Sequence, residues 1–174
     1  GVDRVFEMNR NFRNEGMDSS HSPEFTSLEA YEAYSDYNGM AELTRDLIQQ
    51  AARDAFDLSE GEEIVRLADG TEYDLSGQWD RIDLYGSTSE ALGEEVTVET
   101  PRETLVKYAE RIGLEVDDYA VSGKIVEDIF EELVASKLWA PTFVYDFPED
   151  TSPLTRYHRS RPGLTEKWDL YVRG

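Results

Sequence analysis

The stretch Asn9-Arg10-Asn11-Phe12-Arg13-Asn14-Glu15-Gly16, continued after a polar loop by His21-Ser22-Pro23-Glu24-Phe25-Thr26-Ser27-Leu28-Glu29-Ala30-Tyr31, decides how this chain folds. Val5 to Arg13 and Glu24 to Ala33 have strand character. The loop between them carries Gly16, Asp18, Ser19, Ser20 and Ser22, residues that favour turns. Side chains of equal parity share one face of a strand. Arg13 and Glu15 therefore project together from the first strand, and Phe25, Ser27, Glu29 and Tyr31 from the second. A guanidinium, carboxylates, an aromatic ring and a phenol share that face. By residue type alone the face reads as ordinary solvated surface, because antiparallel sheets commonly leave one face in water.

Outward from this pair, Asp36-Tyr37-Asn38-Gly39 reads as a turn. A helix is expected from about Met40 to Phe56, with an apolar stripe of Met40, Leu43, Leu47, Ile48 and Ala51. Glu63 to Ala68, Asp69-Gly70 and Thr71 to Leu75 read as a short charged hairpin making a surface excursion at 57–77. Trp79 to Tyr85 is a strand candidate, and a short helix follows at Ser87 to Leu92. Thr100-Pro101-Arg102-Glu103 has the form of a capping box, opening a helix that Gly113 ends. A further helix covers about Gly123 to Leu138, and the two make a small helical insertion at about 100–140. Pro141 to Phe147 and Lys167 to Val172 are the last strands. Strands and helices are segregated more than alternating, which predicts an α+β fold with an antiparallel sheet flanked by helices.

A chain of 174 residues can build a real core, and a hydrophobic fraction of 39% places it among globular proteins. The formal charge of −21 argues against an independent nucleic-acid-binding module. Without cysteine there is neither a disulfide framework nor a thiolate metal site. No apolar run approaches membrane-spanning length, and Gly1-Val2-Asp3-Arg4 carries no signal-peptide pattern, so no membrane contact and a cytoplasmic location are expected. The acidic runs at 57–63 and 115–118 lack calcium-loop spacing and read as solvated surface. His158, Arg159 and Arg161 read as a basic cluster on loop surface.

Arg4-Val5-Phe6-Glu7 through Phe12-Arg13-Asn14-Glu15-Gly16, then His21, Pro23-Glu24-Phe25-Thr26 and Leu28-Glu29, resembles motif 2 of the class II aminoacyl-tRNA synthetases, and more narrowly the lysyl-tRNA synthetases. Pro141-Thr142-Phe143, Ser152-Pro153-Leu154 and Trp168-Asp169-Leu170-Tyr171 extend the likeness, which is strongest at 4–37 and at 141–172, with core strands at 141–147 and 167–172. The resemblance implies a partial, incomplete catalytic domain: motif 1, motif 3 and the anticodon-binding domain are not in this sequence. It implies ATP-dependent activation of lysine to lysyl-adenylate and transfer to tRNA(Lys), with Mg2+ whose ligands lie outside this chain, and a homodimeric parent.

Residue by residue, the resemblance implies that Arg13 is the catalytic guanidinium at the α-phosphate. Glu15, His21 and Phe25 join it in binding ATP, with adenine stacked on Phe25, and Glu29 and Tyr31 line the lysine pocket. No metal ligand is assigned. Ser20 and Ser22 stand where the family has an Arg and an Asn beside the loop His, a departure shared with an actinobacterial branch, some members of which carry a fused membrane segment that lysylates phosphatidylglycerol. Two other functions stay open: a lysine-activating paralogue that modifies a protein or a lipid headgroup, and a non-catalytic interaction domain. The fragment alone is expected to be inactive and prone to self-association through exposed edges.

Overall fold

The computed structural model describes residues 1–14, 16–18 and 21–174. The chain divides into two compact units, residues 1–39 and 40–174.

The first unit is a long antiparallel hairpin of β1 (Arg4–Phe12) and β2 (Glu24–Glu32), with Arg4 opposite Glu32 and Phe12 opposite Glu24. Pairing extends past both ends, where the Arg13 amide donates to the Pro23 carbonyl at 2.9 Å and the Ala33 amide to the Asp3 carbonyl at 2.8 Å. In this register odd-numbered residues of both strands share a face. Val5, Glu7, Asn9 and Asn11 oppose Tyr31, Glu29, Ser27 and Phe25. The even-numbered face carries exposed Phe6, Met8, Phe12 and Leu28, bordered by the ion pairs Arg4–Glu32 and Arg10–Glu24.

Helix α1 (Tyr37–Phe56) begins three residues earlier than its apolar periodicity suggests. The segment read as a turn is its first turn: Asp36 Oδ1 accepts the Asn38 and Gly39 amides, each at 3.0 Å, so the aspartate caps the helix. The expected stripe is also displaced. Leu43 and Leu47 are exposed, whereas Ala41, Gln49 and Ala52 are buried. Gln49 can face inward because its amide donates to the Leu75 and Gly77 carbonyls at 2.7 and 2.9 Å.

The short hairpin is β3 (Ile64–Arg66) paired with β4 (Glu72–Asp74), and Gly70 adopts φ 86° in its loop. It is more than a surface excursion, since Val65, Tyr73 and Leu75 are buried. Glu63 is buried beside it. Burial alone would raise its pKa, but hydrogen bonds from the Gly61 amide and the Arg53 guanidinium outweigh that and hold it below the ordinary carboxylate range.

Strand β5 (Asp80–Asp83) runs directly into α2 (Leu84–Leu92), with the Asp83 carboxylate capping the helix through the Gly86 amide at 2.7 Å. Helix α3 (Arg102–Arg111) is entered through Pro101 without a side-chain cap. The expected capping box does not form, because Thr100 Oγ1 instead accepts the Thr97 amide at 2.9 Å. Helix α4 (Ser122–Leu133) is followed by a turn of 3-10 helix at Ala135–Lys137. Strands β6 (Thr142–Tyr145) and β7 (Trp168–Tyr171) complete a three-stranded sheet in the order β5-β6-β7. This sheet is mixed, correcting the purely antiparallel expectation: β5 and β6 are parallel, β6 and β7 antiparallel. Parallel neighbours need a long crossover, and here the helices supply it.

Leu84, Leu105, Ala109, Ile125, Val126, Ile129 and Phe130 pack with Val144, Phe147 and Leu164 in one core. On the sheet, Phe143 sits against Trp79, Trp168 and Tyr145, with ring centroids 5.7, 4.9 and 6.4 Å away. Among the described residues no helix is long and apolar enough to cross a membrane.

Candidate active site

The odd-numbered face of the hairpin carries Arg13, Phe25, Glu29 and Tyr31, whereas His21 lies in the loop. At the loop end the Arg13 guanidinium lies over the Phe25 ring, 5.2 Å from its centroid, a cation–π arrangement on a half-buried ring. Next along the face, the Asn11 amide donates to Ser27 Oγ, and the Asn9 amide to the Glu7 carboxylate. Beyond them the Tyr31 hydroxyl donates to Glu29 Oε2 at 2.7 Å, and Glu7 stands directly across from Glu29 in the register. The hydrogen bond to Glu29 and that carboxylate's charge, then slight burial and the charge of Glu7, push the Tyr31 phenol above its usual range. Tyr31 is thus a firm donor, and it leaves Glu29 acceptor capacity on its other lone pairs.

In the loop, His21 folds back on Asp18. Its Nδ1 lies 2.9 Å from both carboxylate oxygens, and its amide donates to Oδ1 at 2.8 Å. His21 and Ser22 are exposed. Glu15 and Ser20 lie outside the described residues, so their expected places on this face and in this loop have no structural counterpart here. Asn9, Asn11 and Glu7 were not picked out as site residues. The signal was available, since the parity rule run back from Arg13 lands on each of them.

Two surface cavities in the second unit, of about 440 and 450 Å³, are lined by other residues. The larger includes Asp83, Tyr85 and Arg161. Arg161 binds the carboxylates of both Asp83 and Asp146, and Arg159 binds both oxygens of Glu166, the longer contact at 2.9 Å. The His158 side chain is only 10% exposed and faces Asp146 at 3.7 Å, while its Nδ1 accepts the Ser160 and Arg161 amides. The cluster read as loop surface is therefore a set of staples, with Arg161 held by Asp83 and Asp146 and Arg159 by Glu166. Among the described residues no group of three His, Asp or Glu is placed to hold a metal ion.

The family profile described as tRNA synthetases class II (D, K and N) matches residues 1–174. This chain belongs to that family. The "Lysine--tRNA ligase" of Kineococcus radiotolerans is 58% identical to it over 175 residues, covering 100% of this chain and 34% of the relative. That of Mycolicibacterium gilvum is also 58% identical, covering 99% and 34%. The "Lysylphosphatidylglycerol biosynthesis bifunctional protein LysX" of Gordonia bronchialis is 46% identical over 178 residues, covering 100% of this chain and 15% of the relative. The chain thus spans about a third of the length of the curated ligases it matches.

Proposed function

We propose that this chain is the motif 2-bearing part of the catalytic domain of a lysine–tRNA ligase, which joins lysine to ATP as lysyl-adenylate and passes it to tRNA(Lys). The observation that carries the reading is the single face on which the Arg13–Phe25 pair and the Glu29–Tyr31 pair are aligned. At about 3.4 Å per residue, Phe25 and Glu29 lie about 14 Å apart along β2, a span suited to an extended adenylate with a long side chain.

In the reaction a lysine carboxylate oxygen attacks the α-phosphorus of ATP, and the bond to the bridging oxygen breaks to release pyrophosphate. Arg13 faces the charge that develops on the α-phosphate and can bond it bidentately. For this the guanidinium leaves the Phe25 ring, freeing that face for adenine. His21 would meet the outer phosphates, Glu15 would fix the nucleotide and loop, and Glu29 with Tyr31 would take the lysine ammonium. Mg2+ would travel with the ATP phosphates, held by ligands outside this chain. The proposed segments are motif 2 at 4–37, a hairpin at 57–77, a helical insertion at about 100–140, and core strands at 141–147 and 167–172. The parent would be a cytoplasmic homodimer.

Lysine-dependent ATP–pyrophosphate exchange by the full-length protein tests the reading. Exchange driven by lysine but not by aspartate or asparagine is expected, and Arg13→Ala should lower kcat by about 100-fold or more, the usual loss for a transition-state charge donor. Exchange with another amino acid, or an active Arg13→Ala variant, would refute it. The Gordonia relative favours a second reading, transfer of activated lysine to a lipid headgroup. The acceptor, tRNA or phosphatidylglycerol, separates the two by product analysis.

A further inference from the structure

We propose that Glu7 is a second carboxylate of the ammonium-binding end of this site, acting with Glu29 to select a primary alkylammonium side chain. The inference rests on the lysine-activating reading above and adds a specificity residue to it.

Glu7 and Glu29 are direct cross-strand partners. Like charges at directly opposed positions disfavour a hairpin, because their Cβ atoms stand only about 5 Å apart. Of the hairpin's cations, Arg13 shares this face but lies at its loop end, over the Phe25 ring. Arg4 and Arg10 project to the even-numbered face and pair with Glu32 and Glu24. On the odd-numbered face the side-chain donors seen at the two carboxylates are neutral: the Asn9 amide at Glu7 and the Tyr31 hydroxyl at Glu29. Among the described residues the pair is thus oriented by hydrogen bonds from neutral donors, with no cation seated on it. The charge of Glu7 also reaches the far end of the pair, where it adds to the upward push on the Tyr31 phenol.

A primary ammonium satisfies this arrangement. It has three donors and a compact charge, so one ligand nitrogen can serve both carboxylates while the Tyr31 oxygen accepts the third hydrogen bond. Its arrival also converts the repulsion between the two acids into a shared attraction. A neutral side chain of the same length would leave that repulsion in place, which is selection by an unfavourable interaction with the wrong ligand. One carboxylate could attract lysine, and two facing each other make the absence of a cation costly.

The test is ATP–pyrophosphate exchange by the full-length protein carrying Glu7→Gln, Glu7→Asp or, as a control on the opposite face, Glu32→Gln. Glu7→Gln should raise the KM for lysine by about tenfold or more, as expected for a lost charge-assisted hydrogen bond, with the KM for ATP changed by less than about twofold. Glu7→Asp should fall between wild type and Glu7→Gln, and Glu32→Gln should leave the lysine KM unchanged. A thermal melt no lower than that of wild type is expected for Glu7→Gln, because the change relieves repulsion. A lysine KM within about twofold of wild type, or lysine and ATP KM values rising together as a structural role would produce, overturns the assignment of Glu7. Absence of lysine-driven exchange in the wild type itself would overturn the underlying reading and this inference with it.

Discussion

Gly123 is buried in the first turn of α4, where helix propensity and packing make opposite predictions. By propensity alone Gly123→Ala should stabilise the helix by up to about 1 kcal/mol. The structure says otherwise. A Cβ at this position would lie 2.0 Å from Asp150 Oδ1 and 2.6 Å from both Cβ and Cγ of Pro148. The carboxylate can swing aside only by giving up its 3.0 Å hydrogen bond from the Gly123 amide, which caps α4. Losing such a cap costs about 1 kcal/mol. The proline ring has no rotamer to escape into, so the helix must shift against Phe147 and the core, at a further cost of about 1–3 kcal/mol. The net expectation is destabilisation by about 1–3 kcal/mol. For a chain of this size that lowers the melting temperature by about 3–10 °C. Thermal and urea unfolding of the 174-residue chain, followed by near-ultraviolet circular dichroism, measures it. Repeating the substitution in an Asp150→Ala background should reduce the penalty without abolishing it, since Pro148 remains. A Gly123→Ala protein as stable as wild type, or more stable, would refute the packing argument.

Two further outcomes are expected. The Arg159 guanidinium, working against the opposing effect of burial, holds the Glu166 carboxyl at about 2, below its ordinary 4.5. The stability it contributes is therefore fully present above about pH 4.5 and is lost as pH falls from there toward 2; Glu166→Gln should lower the unfolding free energy at pH 7 by about 1.5 kcal/mol for a half-exposed partner, read as a lower urea midpoint, and flatten the decline of stability on acidification. Tyr31→Phe should raise the lysine KM of the full-length protein about fivefold, with the ATP KM and the melting temperature unchanged, because it removes only the hydroxyl that orients Glu29.

What the sequence made legible follows from how local each rule is. The hairpin was readable because side-chain parity in a strand depends on nothing but position. Once the loop sets the register, Phe25, Glu29 and Tyr31 must share a face with Arg13. Helix α1 shows where such rules run out. Its periodicity pointed to the stripe of Met40, Leu43, Leu47, Ile48 and Ala51, yet the chain buries the neighbouring face containing Gln49, because the carbonyls of Leu75 and Gly77 are there to receive its amide. That choice depends on a loop far along the chain. The parallel pairing of β5 with β6 was hidden for the same reason, as was the stapling of Arg161 to Asp83 and Asp146. Glu7 was visible as a residue, but its meaning appears only when Glu29 is placed opposite it.

The strict odd–even division of the hairpin has a genetic consequence. Substitutions at Glu7, Asn9, Asn11, Phe25, Ser27, Glu29 and Tyr31 would fall into one phenotypic class, soluble protein with altered chemistry. Those at Phe6, Met8, Phe12 and Leu28 would fall into another, an altered apolar surface with the reacting groups left in place. Deleting one residue from either strand exchanges the two classes for everything beyond the deletion. Tolerance in this segment should therefore alternate position by position under selection.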